Sequence, residues 1–295
     1  MKRALRRFVS SLTGTKKYVF FTVLALICVM SICLGIYTQF FYKYSDTDPL
    51  MLGINIGSKK TAEELLILKA DFDNLFKNSI IINSENVRVD RIESSKDLVY
   101  TGYNLLNEDE NFYSVNAQIP ILNIDTDEAK KINAEIKKEF YDLANSVMRK
   151  TEGNTVYSVT YASFVNEDIL SIVVKSSLKE AGKAEKEIVK TYCYSLPEKR
   201  TLTLQDVLNY TDILSAKGLT LESMQTTIND EIKKAYNNAL ILAADYGTLY
   251  ERDLASDIYK LENTSNFFLT EDGYLYIVYA YGNNDYTNEM DLIIF

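Results

Sequence analysis

The pattern of hydrophobic positions divides the chain at residue 42. Positions 18–42 form a run of twenty-five residues without Asp, Glu, Lys or Arg. As a helix this run is about 37 Å long, more than the roughly 30 Å hydrocarbon core of a bilayer. Aromatic residues stand at both of its ends, where a bilayer has its two interfaces. The run therefore predicts one transmembrane helix at 18–42.

After residue 42, apolar positions at helical spacing predict two long amphipathic helices. The first is capped by Asp125, with Glu128 three residues later, and Gly153 follows its end. The second spans about 220–243. Shorter helices are predicted after the capping box of Thr61 and Glu64, and near Leu204–Leu208 and Leu254–Leu261.

Alternating apolar and polar positions predict the strands. A meander over 155–196 is predicted to be antiparallel, with one face exposed to solvent and one face buried against the core. The other predicted strands are 87–92, a hairpin of 97–106 and 111–119 around the polar turn 107–110, and three C-terminal strands at 266–270, 274–281 and 289–295. Helices and strands come in runs, so the predicted fold class is α+β: one N-terminal transmembrane helix, then antiparallel sheets packed with two long amphipathic helices.

These elements predict five segments along the chain. They are a cytoplasmic basic tail at 1–17, the transmembrane helix at 18–42, a juxtamembrane stalk and helix at 43–83, and extracytoplasmic α+β subdomains at 84–200 and 201–295.

Charge predicts the orientation of the span. Six of the 32 basic residues and no acidic residue lie in 1–17, so the remaining 26 basic residues stand against all 41 acidic ones, a net charge of about −15. The positive-inside rule places the N-terminus in the cytoplasm and the C-terminal domain outside the cell membrane. A cleaved signal peptide and a lipoprotein anchor remain as alternatives. A signal-peptide cleavage site needs small residues after the apolar run, and the sequence has none there. A lipoprotein site has a small residue before its cysteine, but Ile27 and Ile32 precede the two cysteines of the span.

Composition argues against an enzyme. The sequence has no His, which removes the usual general base, the Ser-His-Asp and Cys-His arrangements and histidine-bound zinc. Cys193, alone outside the predicted span, reads as a small packed residue in a strand. A pair of carboxylates could still hydrolyse a glycan, but 41 acidic residues nominate no particular pair. No catalytic, cofactor-binding or metal-binding residue is therefore assigned, and no cofactor is expected.

Two acidic turns, 107–111 and 123–128, suggest calcium, but neither has the twelve-residue spacing of a calcium loop. They are interpreted as a hairpin turn and a helix cap. The acidic C-terminal part also disfavours nucleic acid. Of the 22 tyrosines, those at 274, 276, 279, 281 and 286 are read first as core residues and second as a binding surface, with 283–287 the part expected to be exposed.

Three segments between Ser114 and Phe295 carry a family resemblance. They are the extended Gln118–Asn123 before a helix containing Ile132-Asn133, the strand, turn and helix of Tyr192–Leu208, and the closing hairpin Asn266–Tyr279 with Gly273 in its turn. Together they resemble the paired domain of unknown function found outside the membrane in RsiV-type anti-sigma factors and PdaC-type peptidoglycan deacetylases. The resemblance implies a sensing or binding module, which in the RsiV type senses lysozyme.

Two differences from this family change the function that we expect. A tail of seventeen residues is short for gripping a sigma factor, and a deacetylase metal site needs His. We expect a single-pass, non-catalytic protein of the bacterial cell envelope that contacts the lipid bilayer through 18–42 and binds an extracytoplasmic protein or peptidoglycan. The alternatives are an RsiV-like signalling factor with a reduced cytoplasmic segment and, behind it, a carboxylate-dependent glycan hydrolase.

Overall fold

The computed structural model describes residues 72–76, 90–92, 97–211, 213–246, 252–284 and 289–295, with the backbone alone at 238–246 and 284. These residues belong to one compact unit, 60–295. Within them, no helix combines the length and the hydropathy needed to cross a membrane. The predicted span at 18–42 and the predicted helix start at Thr61 lie outside the described residues.

Nine strands and five α-helices are assigned in the described part of the chain beyond residue 97. The strands are β1 (Val99–Asp109), β2 (Tyr113–Leu122), β3 (Thr155–Asn166), β4 (Ile169–Glu180), β5 (Lys186–Ser195), β6 (Arg200–Thr201), β7 (Phe267–Leu269), β8 (Leu275–Ala280) and β9 (Met290–Ile294). The helices are α1 (Asp127–Ile136), α2 (Asp142–Val147), α3 (Leu204–Tyr210), α4 (Ile213–Ala216) and α5 (Leu221–Tyr246). A short helical turn also covers residues 72–76.

The strands form two sheets, which confirms the α+β class. One sheet has six strands in the order β1-β2-β3-β4-β5-β6 and the other has three, β7-β8-β9. The prediction of purely antiparallel sheets is wrong for one pair, because β2 and β3 run parallel. Between them α1 and α2 carry the chain back to the end of the sheet at which β2 begins, as a parallel pair requires. The larger sheet is therefore mixed.

One face of the six-stranded sheet packs against the helical segment 127–147. A hydrophobic core there joins Ile132, Ile136 and Phe140 to inward-facing residues of β2, β3 and β4. Five residues, Lys137–Tyr141, form a π-helical turn between α1 and α2. The predicted cap at Asp125 is wrong by one residue: Thr126 is the N-cap, and its hydroxyl accepts from the amide of Ala129 at 3.1 Å.

Asn133 ties this helical segment to the sheet. Its side-chain amide donates to the carbonyl oxygen of Leu122 at 2.9 Å, and its side-chain oxygen accepts from the amide of Leu122 at 2.8 Å. Leu122 is the last residue of β2. The Ile-Asn pair of the family resemblance thus has a physical role, since Ile132 fills the core while Asn133 satisfies the backbone at the end of a strand.

The other face of the meander strands is covered by the smaller sheet. Ile169–Val174 of β4 is buried along its whole length, so the predicted wet face is wrong here. The second core joins Val173, Val189 and Cys193 to β7 and β8, and Phe268 stacks on Phe164 with ring centroids 5.8 Å apart. A strand buried on both faces reads as a continuous apolar run rather than an alternating one, as Ile-Leu-Ser-Ile-Val-Val does.

Most of the remaining local predictions are confirmed. The meander β3-β4-β5 is antiparallel, α5 lies at the predicted place, and Gly273 has a φ of 79° in the turn between β7 and β8. The predicted helix at 254–261 is wrong: two short 3₁₀ turns, Asp257–Tyr259 and Leu261–Asn263, stand in its place. Of the predicted strand at 87–92, the structure describes residues 90–92, and these do not form a strand. The division at residue 200 stays a prediction.

Candidate binding groove

A groove of about 1180 Å³ lies between α3, α5 and the segment 254–267, and is open to solvent. Its floor is made of buried apolar residues. They are Leu202, Leu204, Leu208, Tyr259 and Phe267. Its rim carries two leucines that remain exposed, Leu221 by 42% and Leu254 by 49%. Half-exposed leucines on two walls of a concave apolar surface are a feature of sites that bind another molecule.

Gln225 of α5 fixes the wall formed by the 3₁₀ turns. Its side-chain amide donates to the carbonyl oxygen of Tyr259 at 2.9 Å, while its side-chain oxygen accepts from the amide of Leu261 at 2.9 Å. The same amide group also donates to the side-chain oxygen of Asn229 at 3.0 Å. Because one side chain satisfies two backbone groups of a segment without α-helix or strand, the shape of the groove is held by direct hydrogen bonds.

A buried charge cluster at Arg252 holds the start of the same wall. The Arg252 guanidinium donates to both carboxylate oxygens of Asp291, at 3.1 and 3.0 Å, and to Glu289 at 2.7 Å. Its side chain is 7% exposed. Burial opposes the charge on Arg252, but Asp291, Tyr281 and Glu289 outweigh burial and raise the pKa of the guanidinium. Arg252 therefore stays charged and joins the beginning of segment 252–267 to β9.

Two tyrosines extend this cluster toward the groove. The Tyr281 hydroxyl donates to Asp291 and lies 2.9 Å from the Tyr259 hydroxyl, so Tyr259 donates to Tyr281. The guanidinium of Arg252 lies 5.0 Å from the centre of the Tyr281 ring. Burial raises the pKa of Tyr281 and the Asp291 carboxylate raises it further, so this hydroxyl keeps its proton. The floor residue Tyr259 is thus connected to Arg252 through Tyr281 and Asp291.

Cys193, interpreted as a packed residue, is buried in the second core. Its sulfur lies 3.5 Å from the Ser171 hydroxyl and 3.5 Å from the carbonyl oxygen of Phe267. Burial raises the pKa of the Cys193 thiol to about 12. A neutral, buried thiol is a poor nucleophile at neutral pH.

The two acidic turns considered for calcium have other contacts. Asp109 accepts the amide of Asn111 at 3.0 Å in the β1–β2 turn, and Asn123 donates to the carbonyl oxygen of Asp97. Glu128 bonds to Lys131 at 3.0 Å and to Thr201, and these hydrogen bonds lower the pKa of its carboxyl group. Among the described residues, no group of three or more acidic or cysteine side chains could hold a metal ion.

The C-terminal tyrosines divide between core and surface. Tyr276, Tyr279 and Tyr281 are buried, as the core interpretation predicts, while Tyr274 is half exposed beneath the ammonium of Lys217. Tyr286 lies outside the described residues, and so does most of the segment 283–287 that was expected to be exposed. Among the described lining residues the tyrosine is Tyr259, for which the sequence analysis made no prediction.

Comparison with known proteins gives structural neighbours alone. No family model matches the sequence, and no curated protein matches it. The structure is similar to the crystal structure of a DUF3298 family protein from Pseudomonas aeruginosa PAO1, with 12% identity, a TM-score of 0.33, and coverage of 63% of this chain and 83% of that one. It is also similar to a DUF3298 family member from Bacteroides fragilis NCTC 9343, with 15% identity, a TM-score of 0.31, and coverage of 62% and 80%.

Both neighbours are DUF3298 family proteins. The more specific resemblance to the RsiV and PdaC types stays a prediction.

Proposed function

We propose that this chain is a single-pass, non-catalytic binding protein of the bacterial cell envelope, and that its extracytoplasmic domain binds a protein through the groove between α3, α5 and segment 254–267. The anchor is supported by the uncharged run at 18–42 and the basic tail before it. The absence of His from the sequence and the burial of Cys193 support binding rather than catalysis. The groove with its two exposed leucines is the observation that carries the proposal.

The chemistry of the groove favours a protein over a peptidoglycan ligand. Sugar rings pack on exposed aromatic faces, and the two aromatic residues among the described lining residues, Tyr259 and Phe267, are buried. Exposed leucines instead match apolar side chains of another protein. The volume of about 1180 Å³ exceeds the range of roughly 300–1,000 Å³ that drug-sized ligands fill, and it suits a segment of helix or extended chain.

The anchored topology predicts the labelling of two engineered cysteines. In intact cells, a membrane-impermeant maleimide should react with Cys introduced at Leu106, which is 83% exposed, and should not react with Cys introduced at Ser10 until the cells are lysed. The native cysteines add little background because Cys28 and Cys33 lie in the predicted span and Cys193 is buried. Labelling at position 10 in intact cells would contradict the orientation.

The groove predicts a localised loss of partner binding. Chemical crosslinking in intact cells followed by purification of the full chain should recover a defined partner protein with the wild type. Recovery should fall at least about tenfold with Leu254→Asp, because a buried Leu contributes about 1.5–3 kcal/mol and a carboxylate in its place must be desolvated. Leu106→Asp makes the same exchange on β1 and should recover the wild-type amount. Equal recovery with both variants would overturn the proposal.

A further inference from the structure

The rim of the groove has an excess of negative charge. Glu222 lies on the α5 wall and Glu262 on the wall of the 3₁₀ turns, and both are exposed. The one ammonium group among the described lining residues belongs to Lys260, which forms an ion pair with Asp257 at 2.7 Å. The described lining residues thus carry two carboxylates and one ammonium, a net charge of about −1, and Asp257 beside the groove balances that ammonium.

Each of the two glutamates follows a leucine of the groove lining. Glu222 is the neighbour of Leu221 at the start of α5, and Glu262 follows Leu261 in the second 3₁₀ turn. A ligand that fills the groove therefore meets one carboxylate on the α5 wall and one on the wall of the 3₁₀ turns. An acidic segment would meet like charges there, and a neutral segment would leave them without a partner. A segment with Lys or Arg beside its apolar positions would match both properties of the surface.

We propose that the groove binds a basic, amphipathic segment of a partner protein, with apolar side chains between Leu221 and Leu254 and Lys or Arg side chains at Glu222 and Glu262. This inference rests on the function proposed above and adds the charge of the ligand. The net charge of about −15 on the chain after residue 42 acts in the same direction, because it steers a basic partner toward the domain. Since the rim carboxylates are exposed, each contributes only about threefold to affinity, and together they favour a basic partner over an acidic one.

The test uses two fluorescent peptides with the same leucine spacing, one with Lys and one with Glu at its polar positions. Binding is measured by anisotropy on the full chain in phosphatidylcholine nanodiscs, with empty nanodiscs as the blank. We expect the Lys/Leu peptide to bind and the Glu/Leu peptide to bind at least tenfold more weakly. Binding of the Lys/Leu peptide should weaken as salt rises from about 0.1 to about 1 M, where the Debye length falls from about 10 to about 3 Å.

Charge-removing variants locate the effect. Glu222→Gln and Glu262→Gln should each weaken binding of the Lys/Leu peptide about threefold, and together about tenfold, as exposed ion pairs do. The matched control is Glu110→Gln, which removes the same charge at the exposed β1–β2 turn and should leave the affinity within twofold. Equal binding of both peptides, or a double variant that behaves like Glu110→Gln, would overturn the inference.

The failure of this inference can be told apart from the failure of the proposed function. If Leu254→Asp removes the partner in cells while peptide binding does not respond to Glu222 and Glu262, the groove is a protein-binding site without this charge preference. If Leu254→Asp leaves recovery of the partner unchanged, the groove is not the binding site, and the inference falls together with the function.

Discussion

Replacing Arg252 by Met should lower the free energy of unfolding by about 3–5 kcal/mol, the largest electrostatic effect that we expect in this protein. The variant leaves Asp291 and Glu289 as neighbouring carboxylates in a largely buried site, at 12% and 16% side-chain exposure, with the guanidinium gone. Removing one partner of a buried ion pair has this cost because the remaining carboxylates are desolvated and have lost their counter-charge. The Tyr281 hydroxyl would donate to a site where two acidic groups repel each other.

Arg200 provides the matched control. Its guanidinium also binds both oxygens of one carboxylate, Asp206, at 3.0 and 3.1 Å, but its side chain is 44% exposed. Arg200→Met should therefore lower the free energy of unfolding by less than about 1 kcal/mol. Urea unfolding of the full chain in detergent micelles, followed by the near-ultraviolet circular dichroism of its 22 tyrosines, measures both variants. Equal losses would mean that burial of the Arg252 cluster does not decide its contribution.

Replacing Phe268 by Ala should also lower the free energy of unfolding by about 3–5 kcal/mol, here through packing. Phe268 is fully buried and joins the two sheets. Its ring stacks on Phe164 of the larger sheet at 5.8 Å and on Tyr276 of the smaller one at 4.7 Å, and it lies 6.3 Å from Phe72. The smaller side chain loses the burial of the ring and leaves a cavity that three other rings line.

The control for this variant is Tyr274→Ala in the same hairpin. Tyr274 is half exposed and its described ring contact is the ammonium of Lys217 at 4.6 Å, so the loss should stay below about 1 kcal/mol. The same urea titration measures both. A loss below about 1 kcal/mol for Phe268→Ala would mean that the two sheets do not depend on this aromatic contact.

Strands and turns were predictable because they leave local signals. The meander β3-β4-β5 follows from alternating apolar positions between polar turns, and Gly273 marks the turn between β7 and β8 through its positive φ. The parallel pairing of β2 and β3 was missed although the sequence places a long helix between them. A helix between two strands can return the chain to the end of the sheet at which the first strand began. Whether the two strands then pair as parallel neighbours depends on tertiary packing.

The burial of β4 on both faces was readable in part. The segment Ile169–Val174 has five apolar residues and one serine, which is typical of a strand covered from both sides. The prediction of a solvent-exposed face rested on the polar residues of β3 and of the later part of β4. The residues that cover the second face belong to β7 and β8, nearly a hundred positions later in the sequence.

The groove was not predictable from local signals, whereas the Arg252 cluster was predictable in part. Leu221 and Leu254 read as ordinary apolar positions of helices, and the exposure of both depends on how segment 254–267 meets α3 and α5. One signal was available for the cluster. Glu289 and Asp291 alternate in the predicted strand 289–295, which ends in apolar residues, so both are expected on one face, and two carboxylates on a buried face require a cation.

The most direct measurement of the central claim places a photo-crosslinking amino acid, p-benzoylphenylalanine, at position 254 of the full chain in living cells, with position 106 as the control. Both positions hold exposed leucines. Of these two, Leu254 lines the groove and Leu106 does not. We predict a discrete protein adduct from position 254 that is absent from position 106 and is lost when Leu221→Asp is added. A ladder of adducts common to both positions, or an adduct at 254 that persists with Leu221→Asp, would contradict a protein-binding groove.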